Sequence, residues 1–543
     1  MPSQSRPWLS SVARSLLAAL PVSLLPLIGG SALIGGCALI GGCAGGEVVD
    51  DDEMGATGES DSTSGVTDGD GDGDPATSMD NSSTDSPACS EVGCDCDGGP
   101  ESCNQGLACV GGTCTSPTCG NGIAELPAEQ CDDANDFEGD GCDNDCSFTA
   151  LLDVEAGRHH TCALIEGGRV RCWGNNGSGQ LGYGNINNIG DNEPASAPGD
   201  VVLGENALAI DLGGGHACAL LESGAVRCWG AGGSAELGYG NLNNVGDDEF
   251  PFSVSPISIN AEVLDMLAGG RHTCARVGAG NVRCWGTNDY GQLGYGNTTQ
   301  LSAPLTIDLN LGALATFVRS GEDHSCAVLE DGALRCWGRN DKGQLGYGNT
   351  QNIGDTETPG SVVPVPLLPQ GIPAGTPVID VAIGHSHTCV VFDTGSALCW
   401  GDNFYGQLGQ GNTTTVGDDE TLATLFPIDL GGDATQIVAG RHHTCALLDD
   451  GDVKCWGRNL YGQLGTGGIA HIGDDEVPAD VPAIELGGPA EAITAGDYHT
   501  CALLDAHEIL CWGFNDYGQL GYGDTLLRGD DESPLSAGPV PVL

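Results

Sequence analysis

Short runs of alternating apolar and polar residues recur from residue 151 to the C-terminus, and each run is paired with a second run across a tight turn. In one such unit, Cys445-Ala-Leu-Leu is followed by Asp-Asp-Gly and then by Asp-Val-Lys-Cys455. Folding the unit about Asp450 places the two cysteines opposite each other and Leu447 opposite Val453. Because side chains along a strand alternate between faces, the cysteines and the aliphatic residues share one buried face. The pattern therefore predicts an antiparallel hairpin with a three-residue loop.

The hairpin pattern occurs seven times, and each second cysteine begins Cys-Trp-Gly. Successive first cysteines lie 56, 56, 52, 63, 56 and 56 residues apart, and a period of this size indicates a solenoid, a propeller or an array. Because the two cysteines of each hairpin lie opposite each other, we predict seven disulfides within hairpins. Zinc is the alternative, but a zinc site needs four ligands that converge on one point, and two cysteines per hairpin do not supply them. The predicted pairs are Cys162 with Cys172, Cys218 with Cys228, Cys274 with Cys284, Cys326 with Cys336, Cys389 with Cys399, Cys445 with Cys455 and Cys501 with Cys511.

The third loop position favours a left-handed backbone, which glycine adopts without strain. Six units have glycine there, and the seventh has His507. The aliphatic pair that faces inward is also repeated, except that the third unit has Arg276 opposite Val282. The glycines are Gly168, Gly224, Gly280, Gly332, Gly395 and Gly451.

The complete unit reads Gly-x-x-His-Thr-Cys-Ala-Leu, turn, Val-x-Cys-Trp-Gly, and then x-Asn-x-x-Gly-Gln-Leu-Gly-Tyr-Gly-Asn. It resembles the RCC1 (regulator of chromosome condensation) repeat, and the second unit departs from it with Ala235-Glu236 in place of Gly-Gln. The resemblance implies an all-β fold over residues 151–543, a seven-bladed β-propeller whose blades are four-stranded antiparallel sheets. Radial repetition suits such strands because it leaves only short, protected edges. We also expect residues 152–155 and 538–543 to meet in one composite blade.

Three segments precede the predicted propeller. Residues 1–43 have a charged start, a short apolar core and Gly-Gly-Cys at the end, as in a secretory signal. The end resembles a bacterial lipobox, which implies a lipoprotein signal peptide with lipidation at Cys43 (alternatively Cys37). Cutting at Cys43 leaves an even number of cysteines. We therefore expect an extracytoplasmic protein, either a lipoprotein of a bacterial outer membrane or cell surface or a secreted protein.

Residues 44–88 are mostly Asp, Gly, Ser and Thr, which predicts a disordered acidic linker. Residues 89–150 contain ten cysteines, which indicates a small disulfide module in which crosslinks replace a core. The segment from Cys119 to Cys146 resembles the Myxococcus cysteine-rich repeat of secreted proteins. The pairing of the ten cysteines stays open.

Charge limits the possible partners. The net charge is −58, and the fifteen basic residues of the propeller are scattered along its sequence. A nucleic-acid surface needs a basic patch, so we expect no nucleic-acid partner. An acidic pair recurs after Gly-Tyr-Gly-Asn and could bind calcium weakly, although a turn in which Asp bonds its own backbone is the favoured interpretation. The pairs are Asp191 with Glu193, Asp247 with Glu249, Asp355 with Glu357, Asp418 with Glu420, Asp474 with Glu476 and Asp530 with Glu532.

No motif predicts catalysis. Seven histidines precede the first cysteines by two residues, and seven tryptophans follow the second cysteines. Because each occurs once per unit, we interpret the histidines as a repeated structural hydrogen bond and the tryptophans as packing between blades. Three further histidines, His385, His442 and His471, form no group in the sequence. We expect no enzyme, no cofactor and no metal centre.

The sequence favours a protein- or glycan-binding scaffold that contacts the membrane only through its lipid anchor. The irregular loops are the best candidates for the binding residues, because loops on a rigid scaffold carry most recognition. They are the Pro-rich Ser361–Thr376 and the aromatic Phe250-Pro-Phe252. The alternatives are a lyase or hydrolase at the central opening, which requires unrepeated polar residues there, and guanine-nucleotide exchange, which the resemblance suggests but the export signal opposes.

Overall fold

The computed structural model describes residues 148–367, 369–504 and 508–543, together with the backbone of two short strands, β1 (Ala108–Val110) and β2 (Thr113–Thr115). These two strands pair antiparallel, with Cys109 opposite Cys114. The predicted signal peptide, its Cys37 and Cys43, and the acidic linker lie outside the described residues. So do His507 and most of the cysteine-rich module.

From residue 151 onward, the described chain forms seven antiparallel sheets of three strands, each built from one sequence repeat. We call these sheets blades 1 to 7 and their strands inner, middle and outer. Blades 1 to 4 contain β3–β5 (Leu151–Ala156, His160–Ile165, Arg169–Gly174), β6–β8 (Ala207–Leu212, His216–Leu221, Val226–Gly230), β9–β11 (Val263–Ala268, His272–Val277, Asn281–Gly286) and β12–β14 (Ala315–Ser320, His324–Leu329, Leu334–Gly338). Blades 5 to 7 contain β15–β17 (Val378–Ile383, His387–Phe392, Ala397–Gly401), β18–β20 (Ala434–Ala439, His443–Leu448, Val453–Gly457) and β21–β23 (Ala490–Ala495, His499–Leu504, Ile509–Gly513).

The helices of the described residues are single 3₁₀ turns, and none is long and apolar enough to cross a membrane. One lies in the first hairpin loop, and the others lie in the segments that follow the outer strands. Their bounds are Glu166–Gly168, Pro251–Ser253, Pro359–Ser361, Leu422–Thr424, Pro478–Asp480 and Pro534–Ala537.

The predicted hairpin register is confirmed. Cys445 lies opposite Cys455 and Leu447 opposite Val453, and the third unit places Arg276 opposite Val282. The six loop glycines have φ between 74° and 121°, in the region that favours glycine. Turn chemistry and strand alternation therefore determine the local structure of each unit.

All seven predicted disulfides are present in the structure. Their Cα–Cα separations are 4.0–4.1 Å, and their cysteines are buried. Each bridge joins the middle strand of a blade to its outer strand. The bonded pairs are Cys162 with Cys172, Cys218 with Cys228, Cys274 with Cys284, Cys326 with Cys336, Cys389 with Cys399, Cys445 with Cys455 and Cys501 with Cys511.

The expectation of four regular strands per blade is wrong. The segment after each outer strand touches that strand at two points instead of pairing along it. In blade 1, Ile189 forms an isolated bridge with Gly174, and the Val201 amide donates to the Val170 carbonyl at 2.7 Å. Turns and prolines occupy the rest of the segment, and proline removes the backbone donor that a ladder requires.

The expectation of a composite blade is also wrong. Blade 1 is built from the contiguous residues 151–174, and the C-terminal segment belongs to blade 7, where the Val540 amide donates to the Ile509 carbonyl at 2.8 Å. The C-terminal segment still contacts blade 1 across the seam, because the amide of Ser196, in the segment after the outer strand of blade 1, donates to the Pro541 carbonyl at 3.0 Å. Contacts between neighbouring blades therefore close the ring without a shared sheet.

Each tryptophan ties its blade to the preceding one. Trp229 is fully buried, and its Nε1 donates to the Gln180 carbonyl at 3.0 Å. All seven tryptophans make the equivalent bond, and Trp173 closes the ring by donating to the Gln519 carbonyl of blade 7 at 2.9 Å. The acceptor is a backbone carbonyl, so Glu236 serves as well as glutamine in the second unit. The predicted packing between blades is confirmed.

Candidate functional site

The strand order assigns every connection to one of two faces. In each blade, the turn before the histidine and the loop after Cys-Trp-Gly lie at the same end of the sheet, which we call the upper face. The hairpin loops and the links between blades lie at the opposite end, the lower face. The upper face is built from residues that differ among repeats, although the strands beneath it are nearly identical.

Aromatic side chains cluster on the upper face of blades 5, 6, 7 and 1. The centre is Arg458, whose guanidinium carbon lies 5.4 Å from the Tyr405 ring, 5.4 Å from the Tyr461 ring and 5.1 Å from the Tyr498 ring. Phe514 lies 5.0 Å from Tyr461, and Phe404 at the edge is 70% exposed. We call this set the aromatic sector: His159, Phe404, Tyr405, His442, Arg458, Leu460, Tyr461, His471, Tyr498, Phe514 and Tyr517.

The three further histidines, which form no group in the sequence, lie near one another at this surface. The rings of His442 and His471 each lie 5.3 Å from the Tyr405 ring, and His385 lies 6.0 Å from His442. Burial, with the nearby His385 and Arg441, lowers the pKa of His442 to about 2. Burial likewise lowers the pKa of His159 and of His385 to about 4. His159, His385 and His442 are therefore uncharged near neutral pH.

The same face collects basic residues that the sequence scatters, and carboxylates accompany most of them. At the mouth of the central channel, Arg158 of blade 1 reaches across to pair with Glu322 of blade 4, and its Nε lies 3.3 Å from an Asp497 carboxylate oxygen. Burial opposes ionisation of Glu322, but Arg158 lowers its pKa overall. Burial, only partly offset by Arg158, raises the pKa of Asp497 to about 6.

A channel of about 700 Å³ runs between the inner strands from one face to the other. Its polar residues vary among blades, but carboxyl groups recur at two positions of the inner strand: Asp265 is equivalent to Asp380, and Glu155 is equivalent to Asp211. Arg319 lies 3.4 Å from Asp380, and Thr494 donates to Glu155 at 3.3 Å. Burial, reinforced by Asp265, raises the pKa of Asp211 to about 8. Burial also raises the pKa of Glu155, Asp265 and Asp380.

The repeated histidines are structural, as predicted, at six of seven positions. The His216 Nε2 lies 2.8 Å from the Thr273 hydroxyl of the next blade, and that hydroxyl donates to the Glu236 carbonyl. Since the hydroxyl proton is used, His216 donates from Nε2. The exception is His160, which faces Ala217 and has no partner for its ring nitrogens among the described residues.

Small residues replace the aromatic rings around blade 2. We call this region the glycine sector: Gly214, Gly215, Ala231, Gly233 and Ser234. They leave a recess of about 340 Å³ bordered by Arg158 and Arg271. The two sectors occupy equivalent repeat positions on the same face.

The two loops predicted to bind lie away from this face. Phe252 packs along the outer side of blade 1, where its amide donates to the Val202 carbonyl at 3.2 Å. Gln370 of the Pro-rich loop bonds to blade 5, with its amide 2.8 Å from the Leu425 carbonyl. Phe250 and Phe252 are 42% and 48% exposed, but they stand apart from the aromatic sector.

The acidic pairs sit in loops that pack against the preceding blade. A Cβ on Gly179 would lie 2.3 Å from the Asp247 amide nitrogen, and five other repeats show the same contact. In four loops a third carboxylate joins the pair, and the ligand oxygens lie within 4.8 Å of one another. These groups are 247–249, 418–420, 474–476 and 530–532. Calcium binding there stays a prediction. The packing of each loop against the preceding blade explains the position of the loop without a bound ion.

Comparison with known proteins agrees with this architecture. The model of the RCC1-like domain matches residues 142–420, and models of the RCC1 repeat match residues 434–463 and 491–519 as well as 394–447 and 450–503. A domain of unknown function matches residues 101–147, within the cysteine-rich module.

The ultraviolet-B receptor UVR8 of Arabidopsis thaliana is 30% identical over 386 residues, which cover 70% of this chain and 80% of the receptor. The mitochondrial RCC1 domain-containing protein RUG3 of the same plant is 28% identical and covers 64% of this chain and 78% of RUG3.

Two solved structures share the fold. Human WBSCR16 has a TM-score of 0.54 at 22% identity, covering 67% of this chain and 94% of its own. Prp20p of Saccharomyces cerevisiae, described together with its binding to Gsp1p and histones, has a TM-score of 0.51 at 20% identity, covering 64% and 80%. With seven blades of one repeat and these matches, the chain belongs to the RCC1 (regulator of chromosome condensation) family.

Proposed function

We propose that this chain is an exported, lipid-anchored propeller that binds a protein partner through the aromatic sector of its upper face. One observation carries the proposal: blades that share the same buried tryptophan and disulfide differ sharply at their upper loops. Blades 5 to 7 present Tyr405, Tyr461 and Tyr517 where blades 1 and 2 present Ser178 and Ser234. The fold does not require aromatic residues there, since the serine blades pack equally well.

The chemistry of the sector suits a protein. Tyrosine and arginine are enriched among the residues that dominate binding energy at protein interfaces, and they cluster in well-packed patches. Family membership supports a protein partner by analogy, since Prp20p was described with its protein partners. A glycan, which aromatic rings also contact, is the alternative ligand class.

A capture experiment tests the proposal. Purified wild-type protein is compared with the double variant Tyr461→Ala, Phe514→Ala and with a control that removes two exposed rings elsewhere, Phe250→Ala, Phe252→Ala. We expect the first variant to lose most of the captured partner from cell-surface extracts, and the control to retain it. Equal capture by both variants contradicts the proposal, and capture that deglycosylation of the extract abolishes identifies a glycan ligand.

Export and anchoring rest on the N-terminal sequence and on the seven disulfides, which persist in oxidising compartments. Mass spectrometry of protein from its native membrane provides the test. We expect an acylated fragment that begins at Cys43, and a mass gain of two hydrogens per bridge after reduction. An intact N-terminus or free thiols in the native protein contradict export.

The channel supports a second candidate, a lyase or hydrolase activity. It contains several buried carboxyl groups with raised pKa values, a feature that is also typical of active sites. We rank it second because Asp380 is paired with Arg319 and Arg158 spans the upper mouth. An activity screen in which Asp211→Asn abolishes turnover would favour it. Nucleotide exchange ranks third, and a nucleotide-release assay tests it directly.

A further inference from the structure

Arg458 has aromatic neighbours but no anionic partner among the residues that the structure describes. Its guanidinium lies within 5.4 Å of three tyrosine rings. No carboxylate of the described chain pairs with it, and its Nε is buried without a hydrogen-bond acceptor. A guanidinium offers five N–H donors in a rigid fork, so Arg458 retains unused capacity for an acceptor.

The other arginines that contact rings already have carboxylate partners. Arg339 lies 5.0 Å from the Tyr290 ring and also 2.9 Å from an Asp341 oxygen. Arg441 lies 6.0 Å from Tyr498 and 3.7 Å from Asp497. Ring contact alone therefore does not define a binding site, and the absence of a carboxylate partner among the described residues distinguishes Arg458.

The setting of Arg458 favours an anion from outside. The tyrosine faces hold the cation in a fixed position, so less side-chain entropy is lost when a ligand binds. The adjacent rings of His442 and His159 are neutral and add no competing charge. Arg458 and its neighbours thus form an unneutralised positive point on a chain of net charge −58.

We propose that Arg458 anchors a carboxylate side chain from an acidic segment of the protein partner. Two N–H groups of the guanidinium donate to the carboxylate in the bidentate geometry that arginine favours. Apolar residues beside that acidic residue contact Phe404 and Leu460, which are 70% and 46% exposed. This inference rests on the proposed function and names the chemistry that the aromatic sector recognises.

The test uses two synthetic peptides that differ only in charge. One is acetyl-Phe-Glu-Asp-Phe-Glu-Tyr-amide, and the other replaces its acidic residues with glutamine and asparagine. We expect the acidic peptide to bind the full chain about tenfold more tightly at physiological salt, where the net negative charge of the chain is screened but one desolvated charge pair is not. Arg458→Met should reduce that ratio to near one. The same ratio in wild type and Arg458→Met overturns the inference.

Arg528 offers a matched control. It lies 5.4 Å from the Tyr522 ring, as Arg458 does from its tyrosines, but Asp524 pairs with it at 2.8 Å. Arg528→Met should leave the peptide ratio unchanged, and a Tm within a degree or two of wild type would show that both variants fold. Loss of discrimination in Arg528→Met as well would indicate a general charge effect and would contradict the specific anchor.

The outcomes separate this inference from the proposed function. If both peptides bind equally and the double variant Tyr461→Ala, Phe514→Ala abolishes both, the aromatic sector binds its partner without Arg458 as an anchor. If neither peptide binding nor capture responds to that double variant, the proposed function fails. If sedimentation shows a dimer that Arg458→Met dissociates, and neither peptide binds, the occupant is a second copy and the acidic-partner inference is wrong.

Discussion

The aromatic and glycine sectors of the upper face stand on the same scaffold and present opposite surfaces. Under both lie a buried tryptophan, a disulfide and a carbonyl that accepts the indole N–H, as at Trp456 and Trp229. Above them, blade 6 presents Arg458 and Tyr461, whereas blade 2 presents Ala231 and Ser234. Residues that hold blades together cannot vary without loss of stability, and residues that only face solvent can.

The comparison also identifies a weaker seam. Six seams between blades contain a histidine bonded to a hydroxyl, and the seam between blades 1 and 2 lacks it because Ala217 replaces threonine. The same blade carries Ala235, whose φ of 66° is unfavourable for a residue with a side chain. Blade 2 is thus less regular both at its surface and at its contacts.

Acidification should destabilise every seam, and it has the largest expected effect. Burial lowers the pKa of His216, His324, His387 and His443 to about 3 from an ordinary 6.5. Their contribution to stability is complete above pH 6.5 and is lost as the pH falls toward 3, by up to about 1.4 kcal/mol per histidine for each pH unit. Urea midpoints measured from pH 7.5 to 4.5 should fall steeply.

The channel carboxyl groups act in the opposite direction. Because the pKa of Asp211 is raised to about 8, its contribution is greatest below its ordinary value of 3.8 and is lost as the pH rises through 8. Asp211→Asn should therefore stabilise the protein at pH 8 and change little at pH 4. A difference in urea midpoint between Asp211→Asn and wild type that is the same at pH 8 and at pH 4 would contradict this assignment.

Truncating the interior should affect both sectors equally. Trp229→Ala and Trp456→Ala each remove a fully buried indole and its hydrogen bond, at a cost of about 3–5 kcal/mol. Phe404→Ala, at an exposed position, should change the free energy of unfolding by less than about 0.5 kcal/mol. Calorimetry measures all three. A much smaller cost in blade 2 would show that the two sectors do not share one scaffold.

Restoring the missing hydroxyl should strengthen the weak seam. Ala217→Thr supplies the acceptor that His160 lacks and should stabilise the protein by about 1 kcal/mol. The reverse change, Thr273→Ala, breaks the bond of His216 and should destabilise by a similar or larger amount. Thermal unfolding of both variants provides the check. Destabilisation by Ala217→Thr would mean that the seam has no room for the side chain.

Gly179 and Ala235 occupy equivalent loop positions in blades 1 and 2, and exchanging glycine and alanine there should change the free energy of unfolding in opposite directions. Gly179→Ala combines a φ of 79° with a Cβ that would lie 2.3 Å from the Asp247 amide nitrogen, so we expect a loss of at least about 1 kcal/mol. Ala235→Gly relieves a positive φ and should gain up to about 1 kcal/mol. Chemical denaturation measures both. Equal signs would refute this assignment of backbone strain.

Calcium should have the smallest effect. Partial burial and neighbouring carboxylates raise the pKa of Glu476 to about 6, which marks a crowded triad but not a preformed site. A site with Kd of about 1 mM would add about 0.4 kcal/mol at 1 mM Ca²⁺. Calorimetric titration of wild type and of Asp475→Asn provides the measurement. Micromolar affinity would contradict the interpretation of these loops as packing turns.

Periodicity explains what could be predicted from the sequence. The hairpin register and the cysteine pairs recur seven times and the turn glycine six times, so local rules of strand alternation and turn geometry suffice. The prediction of a fourth strand was wrong because the segment after each outer strand contacts that strand at only two points. Two contacts do not impose an alternating pattern of buried and exposed residues on the sequence. The presence of Ala235 in place of glycine also has a structural reason. In six other blades the acidic loop of the next blade packs against this glycine, but the shortened third unit lacks that loop and leaves room for a side chain at position 235.

The aromatic sector could not be predicted in the same way. Its members come from separate loops of four blades and meet only because the ring closes. One signal was available: aromatic and basic residues recur directly after Cys-Trp-Gly, as at Arg458 and Phe514, or three to four residues after it, as at Tyr461 and Tyr517. Reading only those variable positions, blade by blade, would have identified the surface.

Site-specific photo-crosslinking tests the central claim most directly. Benzoylphenylalanine is placed either at Phe404 in the aromatic sector or at Gly233 in the glycine sector, where a Cβ would meet nothing within 4 Å. After incubation with cell-surface extract and irradiation, we predict a discrete crosslinked protein from position 404 and none from position 233. Equal crosslinking from both positions, or crosslinking from position 233 alone, would contradict the assignment of the aromatic sector as the binding surface.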